Sequence, residues 1–190
     1  DNIMMAAERI YEQSEGMMFP SQNALVAQQY MQKYNATTDD FALVSLKNHE
    51  NACLNPKARF YKRKVTLKQI KKSPIIASPL RLFDCCPVSD GAAALILCPA
   101  DVAKKYNDTP VDILASAQSS GYSTLAEYFD YGVGYDAQLP PTVIAARKAY
   151  EMAGITPKDL DFVELHDCFT SAEVIDSEDL GLFKKGEGAK

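Results

Sequence analysis

The side chains of this sequence with the clearest chemical potential lie together in one run, His166-Asp167-Cys168-Phe169, called here the His166–Phe169 motif. The motif follows an apolar stretch typical of a strand. Thr170 and Glu173 come next, and their spacing predicts a capping box and a helix that begins directly after Phe169. Open α/β sheets bind ligands where strands end and helices begin. Free backbone N–H groups at the helix start and the neighbouring imidazole would then favour a Cys168 thiolate that attacks or moves a proton.

The same pattern also has a purely structural interpretation. A single cysteine after a buried strand often behaves as a small buried hydrophobe. Because a histidine, an aspartate and a helix start surround Cys168, the functional interpretation stands beside the structural one.

A second feature is the run from Cys85 to Gly91, which leads into the apolar stretch Ala92–Cys98. Small residues before a buried strand let a ligand or another backbone approach closely, and Asp-Gly is typical of a tight turn. Taken alone, the run favours a packed strand entry with two inert thiols.

A third feature is electrostatic, because eight basic residues and no acidic ones lie between Lys57 and Lys72. Such a cluster could bind the phosphate of a nucleotide-bearing ligand or of nucleic acid, or it could be a solvated face. His49 lies in a helical stretch, and we expect it to have a surface or packing role.

The predicted elements place these residues on an α/β framework. Up to about residue 80 the pattern is helical without any strand, with capping boxes at Thr37 and Thr66. Strands are predicted at 91–98, 111–115 and 162–165. A helix follows Pro99 as far as Tyr106, a loop spans about 121–139, and a second helix runs from Pro140 to Gly154.

The strand, helix, strand order predicts a parallel or mixed sheet covered by helices. Only three strands are found, whereas such a sheet normally has about five. We therefore expect further polypeptide to complete the sheet.

Composition excludes several classes of protein. The chain has 190 residues, 20 basic and 25 acidic side chains and a net charge of −5, which is typical of a soluble globular protein and unfavourable for general nucleic-acid or membrane binding. No apolar run is long enough to span a membrane. Five unevenly spaced cysteines and two histidines predict free thiols, an intracellular reducing compartment and no metal site.

Together, three motifs resemble the thiolase superfamily, specifically its sterol-carrier-protein-2 type, over nearly the whole chain. They are the His166–Phe169 motif, the Lys47-Asn48-His49 helix and the run Cys85–Ala94. The resemblance implies an α/β thiolase-like fold of layered helix, sheet and helix, here incomplete. It implies a loop domain over the coenzyme A site at 1–83, the end of the N-terminal half at 84–108 and the beginning of the C-terminal half at 109–190.

The resemblance also implies a reaction. Thiolases cleave 3-ketoacyl-CoA with CoA, or condense two acyl-CoA molecules, through an acyl group carried on a cysteine. His166 matches a position that builds the oxyanion hole for the enolate, and Cys168 matches the acid/base thiol of this subfamily. Both roles agree with the chemistry read from the residues themselves, because an enolate needs fixed donors and the base needs a suitable pKa.

Binding residues follow from the same resemblance. The acyl pocket would be shaped by Phe169 and Phe19. Cys86 falls where related thiolases use a serine to contact the pantetheine arm, so this substitution puts that contact in doubt. Arg63 and Lys71 would lie near the phosphates of coenzyme A, which is a substrate and not a permanent cofactor.

Two elements of the family are absent from these 190 residues: its nucleophilic cysteine and its Gly-His-Pro loop. We therefore expect the isolated chain to be inactive and to require N- and C-terminal segments of the same protein. The alternative is a non-catalytic acyl-CoA or lipid-binding protein, and nucleic-acid binding ranks last. Family resemblance further implies a homodimer or tetramer, in a compartment such as the peroxisome or mitochondrion.

Overall fold

The computed structural model describes residues 7–121 and 137–190, whose regular secondary structure is mainly helical. Among these residues, three 3-10 turns, at Gln13–Glu15, Leu82–Asp84 and Pro157–Asp159, accompany the α-helices and strands. In chain order these are α1 (Phe19–Tyr34), α2 (Thr38–Leu54), α3 (Leu67–Lys72), β1 (Ile75–Ala77), β2 (Leu80–Arg81), α4 (Ala100–Ala103), α5 (Pro140–Ala153) and α6 (Thr170–Asp179).

The helix boundaries confirm most of the local signals. The capping boxes predicted at Thr37 and Thr66 form, with the Thr37 backbone N–H donating to Asp40 Oδ2 at 2.6 Å before α2 and Thr66 pairing with Gln69 before α3. α5 ends at Gly154, whose φ of +68° lies in the left-handed region where glycine avoids steric strain. These predictions hold because caps depend only on residues a few positions apart.

Two predictions for the first half of the chain are wrong in detail. Residues before 80 do contain a strand, because β1 pairs antiparallel with β2 in a short hairpin. With three and two residues, these strands are too short to show an alternating pattern. The helix after Pro99 ends at Ala103, well before Tyr106.

The three predicted strands at 91–98, 111–115 and 162–165 form no regular secondary structure. Among the described residues the sheet consists of β1 and β2 alone, so nothing there offers these segments a hydrogen-bonded neighbour. Many of their apolar side chains consequently lie in solvent; Ile96 is 97% exposed and Phe162 81% exposed. Most of the loop predicted at about 121–139 lies outside the described residues.

The main core lies where α1, α2 and α6 meet β2. Tyr30, Phe41, Leu80 and Ile175 are its largest fully buried side chains. A smaller cluster beneath α3 is built on Ile70. Within 7–121 and 137–190, no helix has the length and apolar character needed to cross a membrane.

A buried carboxyl connects α1 to the end of the chain. The Tyr30 hydroxyl donates to Glu178 Oε1 at 2.5 Å, and the backbone N–H groups of Gly186 and Gly188 donate to the same oxygen at 3.0 and 2.9 Å. Burial, reinforced by the Glu178 hydrogen bond, raises the pKa of Tyr30, so the phenol stays protonated and remains a donor. Three donors thus stabilise one buried carboxyl oxygen.

Replacing Tyr30 with phenylalanine should destabilise the protein by about 1 to 3 kcal/mol, because a buried carboxyl loses a donor while packing changes little. Urea denaturation of the wild type and the variant measures this difference. Tyr34→Phe is the matched control, since Tyr34 is half-buried on the same helix. Equal stability of Tyr30→Phe and wild type would contradict this role.

Candidate functional site

The helix that follows the His166–Phe169 motif begins where expected, but its first turn is held by other partners than predicted. α6 starts at Thr170 with Phe169 as its N-cap residue, and no capping box forms. The Thr170 hydroxyl instead donates to Asp84 Oδ1 at 3.2 Å, and Glu173 accepts hydrogen bonds from α2. Tertiary partners have therefore replaced the predicted local cap.

The structure brings the motif beside the Cys85–Gly91 run. The Cys86 backbone N–H donates to the Cys168 carbonyl at 3.0 Å, and Cys85 forms an isolated antiparallel bridge with Phe169. Residues directly opposite in an antiparallel pair have neighbouring side chains. This junction, called here the 85–169 junction, thus connects two motifs about 80 positions apart in the sequence.

Burial at the junction alters the acidity of its thiols. Cys168 is half-buried, and burial, with Cys86 as a second cause, raises its pKa from 9.0 to about 11. The pKa of Cys85 is likewise raised to about 11, first by burial and then by Asp84. Burial therefore acts against the predicted thiolate, and a pKa of about 11 favours the protonated thiol at neutral pH. The catalytic role of Cys168 stays a prediction.

His166 is exposed beside these thiols. Its charge lowers the pKa of Asp176, which burial raises overall, and Asp176 in turn raises the pKa of Cys168. Asp176 also accepts a hydrogen bond from the Thr142 hydroxyl at 2.9 Å. A carboxyl on α6 thus lies within electrostatic range of both candidate catalytic residues.

A cleft of about 470 Å³ opens beside the junction, between α2 and the start of α6. Members of all three sequence motifs line this cleft, among them Asn48, His49, Cys85, Cys86 and Asp167. The cleft is large enough for a small ligand or an extended arm of a larger one. His166 and Cys168 flank the lining residue Asp167 in the sequence, but they do not themselves line the cleft.

His49 packs in the wall of the cleft. Its Nδ1 lies 2.8 Å from the Ser45 carbonyl, so this nitrogen carries the proton and donates it. Its ring meets Phe60 and Phe83 edge-on, with centroids 4.6 and 5.3 Å away. These contacts agree with the packing role, and they leave Nε2 available for other partners.

The side chains expected to bind substrate are distributed unevenly. Cys86 lines the cleft, whereas Phe19 and Phe169 pack against or within the main core. Lys71 is paired with Asp39 at 2.8 Å, and neither Lys71 nor Arg63 is a lining residue. The basic residue that does line the cleft is Arg59, whose Nη1 donates to the Val88 carbonyl at 2.7 Å.

Sequence reasoning missed the contacts between α2 and the motif. Asn48 Nδ2 donates to Glu173 Oε2 at 2.6 Å and to Asp167 Oδ2 at 3.3 Å. Lys47 Nζ forms an ion pair with the other oxygen of Glu173. No local signal could reveal these bonds, because their partners are 119 to 126 positions apart.

Comparisons with known proteins show similarity to thiolase-related sequences. Residues 135–190 match the family described as thiolase C-terminal domain-like. The chain is 47% identical to an acetyl-CoA acetyltransferase of Methanothermobacter thermautotrophicus, covering 99% of this chain and 48% of the relative. It is 36% identical to sterol carrier protein 2 of Bos taurus, covering 95% of this chain and 33% of that protein.

A solved structure gives the same result for the fold. The chain superposes on the Ltp2-ChsH2(DUF35) aldolase with a TM-score of 0.85 and 32% identity, over 94% of this chain and 47% of that one. The fold is thus α/β and thiolase-like, and the chain spans about half the length of the acetyltransferase it matches. Over nearly its whole length, the chain is therefore similar to proteins of the thiolase superfamily.

Proposed function

We propose that the chain is the middle part of a thiolase-type acyltransferase. The enzyme would cleave 3-ketoacyl-CoA with CoA, or condense two acyl-CoA molecules, through an acyl group on a cysteine outside these 190 residues. The 85–169 junction carries this proposal, because the Cys86 N–H to Cys168 carbonyl bond of 3.0 Å holds the motif beside a ligand-sized cleft. The similarity to an acetyl-CoA acetyltransferase supports the reaction class.

Cys168 acts as the acid in the cleavage direction. When the carbon–carbon bond breaks, its electron pair stays with the departing acyl-CoA as an enolate, and the Cys168 S–H protonates the enolate carbon. The resulting thiolate then takes the proton of the CoA thiol, which attacks the acyl-enzyme and regenerates the starting cysteine. A pKa of about 11 suits this role, because the thiol is protonated at neutral pH before cleavage.

His166 supplies a donor for the enolate oxygen. Its exposed ring can meet a thioester that enters beside the junction. One such fixed donor typically contributes roughly 3 kcal/mol to stabilising the transition state.

The cleft beside the junction would bind the pantetheine arm of CoA, with Cys86 and Arg59 in its wall. Arg63 and Lys71 remain candidates for the phosphates, and Phe19 and Phe169 for the acyl pocket. CoA would be a substrate, with no permanently bound cofactor. The five free cysteines favour a reducing compartment such as the peroxisome or mitochondrion.

Further segments of the same protein would pair with 91–98, 111–115 and 162–165. Their exposed apolar side chains support this proposal, since contiguous apolar surface in water usually marks an interface. On this reading residues 1–83 cover the CoA site, 84–108 end the N-terminal half and 109–190 begin the C-terminal half. A homodimer or tetramer is the proposed assembly.

The isolated 190-residue chain should not convert acetoacetyl-CoA and CoA to acetyl-CoA, whereas the complete protein should. Loss of the 3-ketoacyl-CoA absorbance measures turnover by each. Measurable turnover by the pure chain would overturn the proposed division of the active site. Binding of acyl-CoA by the complete protein without turnover would instead favour the non-catalytic alternative.

Cys168→Ala in the complete protein should slow proton exchange at the α-carbon of acetyl-CoA by about 100-fold or more, because the variant lacks the acid/base thiol. It should still form the acyl-enzyme, since the acyl group is carried elsewhere. Deuterium incorporation into acetyl-CoA measures the proton exchange, and intact protein mass measures acyl-enzyme formation. Normal exchange by Cys168→Ala would exclude Cys168 as the acid/base.

Alkylation should report the raised pKa of Cys168 directly. Its rate with iodoacetamide should rise about tenfold per pH unit between pH 7.5 and 9.5 without a plateau, because thiolate increases tenfold per unit below a pKa of about 11. Peptide mass spectrometry separates Cys168 from exposed Cys98, which serves as the control for access of the reagent. A plateau for Cys168 below pH 8 would contradict the effect of burial.

A further inference from the structure

The hydrogen bonds between α2 and the motif have no role in the mechanism as described so far. Asn48 is half-buried on α2 and lines the cleft. Its side-chain NH₂ donates to two carboxylates, Asp167 within the motif and Glu173 one turn into α6. No backbone group takes part in these two hydrogen bonds, so the Asn48 side chain alone makes them between α2 and the segment that carries Asp167 and Glu173.

The charges around Asn48 explain why an amide suits this position. Asp167 and Glu173 both approach Nδ2, and two carboxylates so close together would repel each other without a donor between them. Lys47 offsets the charge of Glu173 through its ion pair, and only 15% of the Glu173 side chain is exposed. Aspartate at position 48 would add a third carboxylate, and alanine would remove the donor.

We propose that Asn48 is a positioning residue, whose amide joins Asp167 to Glu173 and so holds the turn between His166 and Cys168 against α2. This inference rests on the proposed function for its kinetic consequence. Asp167 stands between the two candidate catalytic residues, so a shift of its backbone moves both. A misplacement of about 1 Å can slow catalysis by roughly 100-fold.

The Asp84 to Thr170 hydrogen bond does not make Asn48 redundant. That bond of 3.2 Å fixes the first residue of α6, on the far side of Phe169 from the turn. The Cys86 to Cys168 bond fixes one carbonyl of the turn. Within residues 7–121 and 137–190, Asn48 is the side chain that donates a hydrogen bond to Asp167. Its loss therefore lets Asp167 move while α6 stays in place.

The test compares Asn48→Ala with Asn51→Ala in the complete protein. Asn51 is exposed on the same helix, which makes it a matched control for the loss of an asparagine. Asn48→Ala should slow α-proton exchange of acetyl-CoA by between about 10- and 100-fold. The extent of acyl-enzyme formation should match the wild type, and Asn51→Ala should behave as wild type in both measurements.

Alkylation of Cys168 gives a readout that does not depend on turnover. Release of the turn would expose this thiol and lower its pKa toward 9, so Cys168 in Asn48→Ala should react with iodoacetamide about threefold faster or more at pH 8. Asn48→Gln keeps an amide donor on a longer side chain and should recover part of the lost exchange rate.

The outcomes separate the two proposals. Unchanged proton exchange and unchanged Cys168 alkylation in Asn48→Ala would overturn the positioning role. Equal losses of exchange and acyl-enzyme, together with a lower melting temperature, would also overturn it, because they would indicate a structural role only. A wild-type protein that neither exchanges protons nor forms an acyl-enzyme would contradict the proposed function, while the alkylation comparison would still decide on Asn48.

Discussion

The arrangement of the candidate site depends on the 85–169 junction. Its backbone hydrogen bond from Cys86 to Cys168 is accompanied by a side-chain bond from Thr170 to Asp84. Asp84 is almost fully buried, and burial raises the pKa of its carboxyl. The same carboxyl accepts a second hydrogen bond, from the Arg81 backbone N–H at 2.8 Å. A buried carboxyl with two donors is tolerated, whereas removing either donor would leave it poorly satisfied. The start of α6, the wall of the cleft and the environment of Cys168 all follow from this contact.

Two opposing effects act on Cys168 at the junction, and their magnitudes decide its protonation. The start of a helix favours a nearby thiolate by about 0.3 to 1 kcal/mol. Burial is the largest influence on the pKa of Cys168 and raises it from 9.0 to about 11, in spite of the helix start. Burial therefore prevails. The result suits the role proposed for Cys168, in which the thiol first gives a proton to a carbon atom and only afterwards holds a negative charge.

How much could be predicted from the sequence follows from the range of each interaction. The starts of α2 and α3 and the end of α5 were predicted correctly, because a cap involves residues within one turn. The strands predicted at 91–98, 111–115 and 162–165 do not form, because a strand needs a hydrogen-bonded neighbour that the described residues do not supply. At Thr170 the local sequence predicts a capping box that does not form. The Thr170 hydroxyl instead donates a hydrogen bond to Asp84, which is distant in the sequence.

The candidate site follows the same rule. The types and order of His166, Cys168 and Cys86 were readable, and so was the resemblance they carry. The raised pKa of Cys168 and the contacts of Asn48 could not be predicted from the sequence, because both arise from groups that only the fold brings together. Arg59 was similarly hidden among eight basic residues, since nothing local distinguishes the one that faces a cleft.

These tertiary contacts make α6 a rigid support for the motif. Asp84 holds the start of α6, α2 holds Glu173 through Lys47 and Asn48, and α1 holds the far end through Tyr30 and Glu178. A helix fixed only by its own caps could rotate or slide, and the motif would move with it. One anchored at its start, middle and end can present a thiol and an imidazole within the narrow tolerance that proton transfer demands. The use of Thr170 and Glu173 for tertiary bonds, at the expense of a local cap, therefore serves precision at the site.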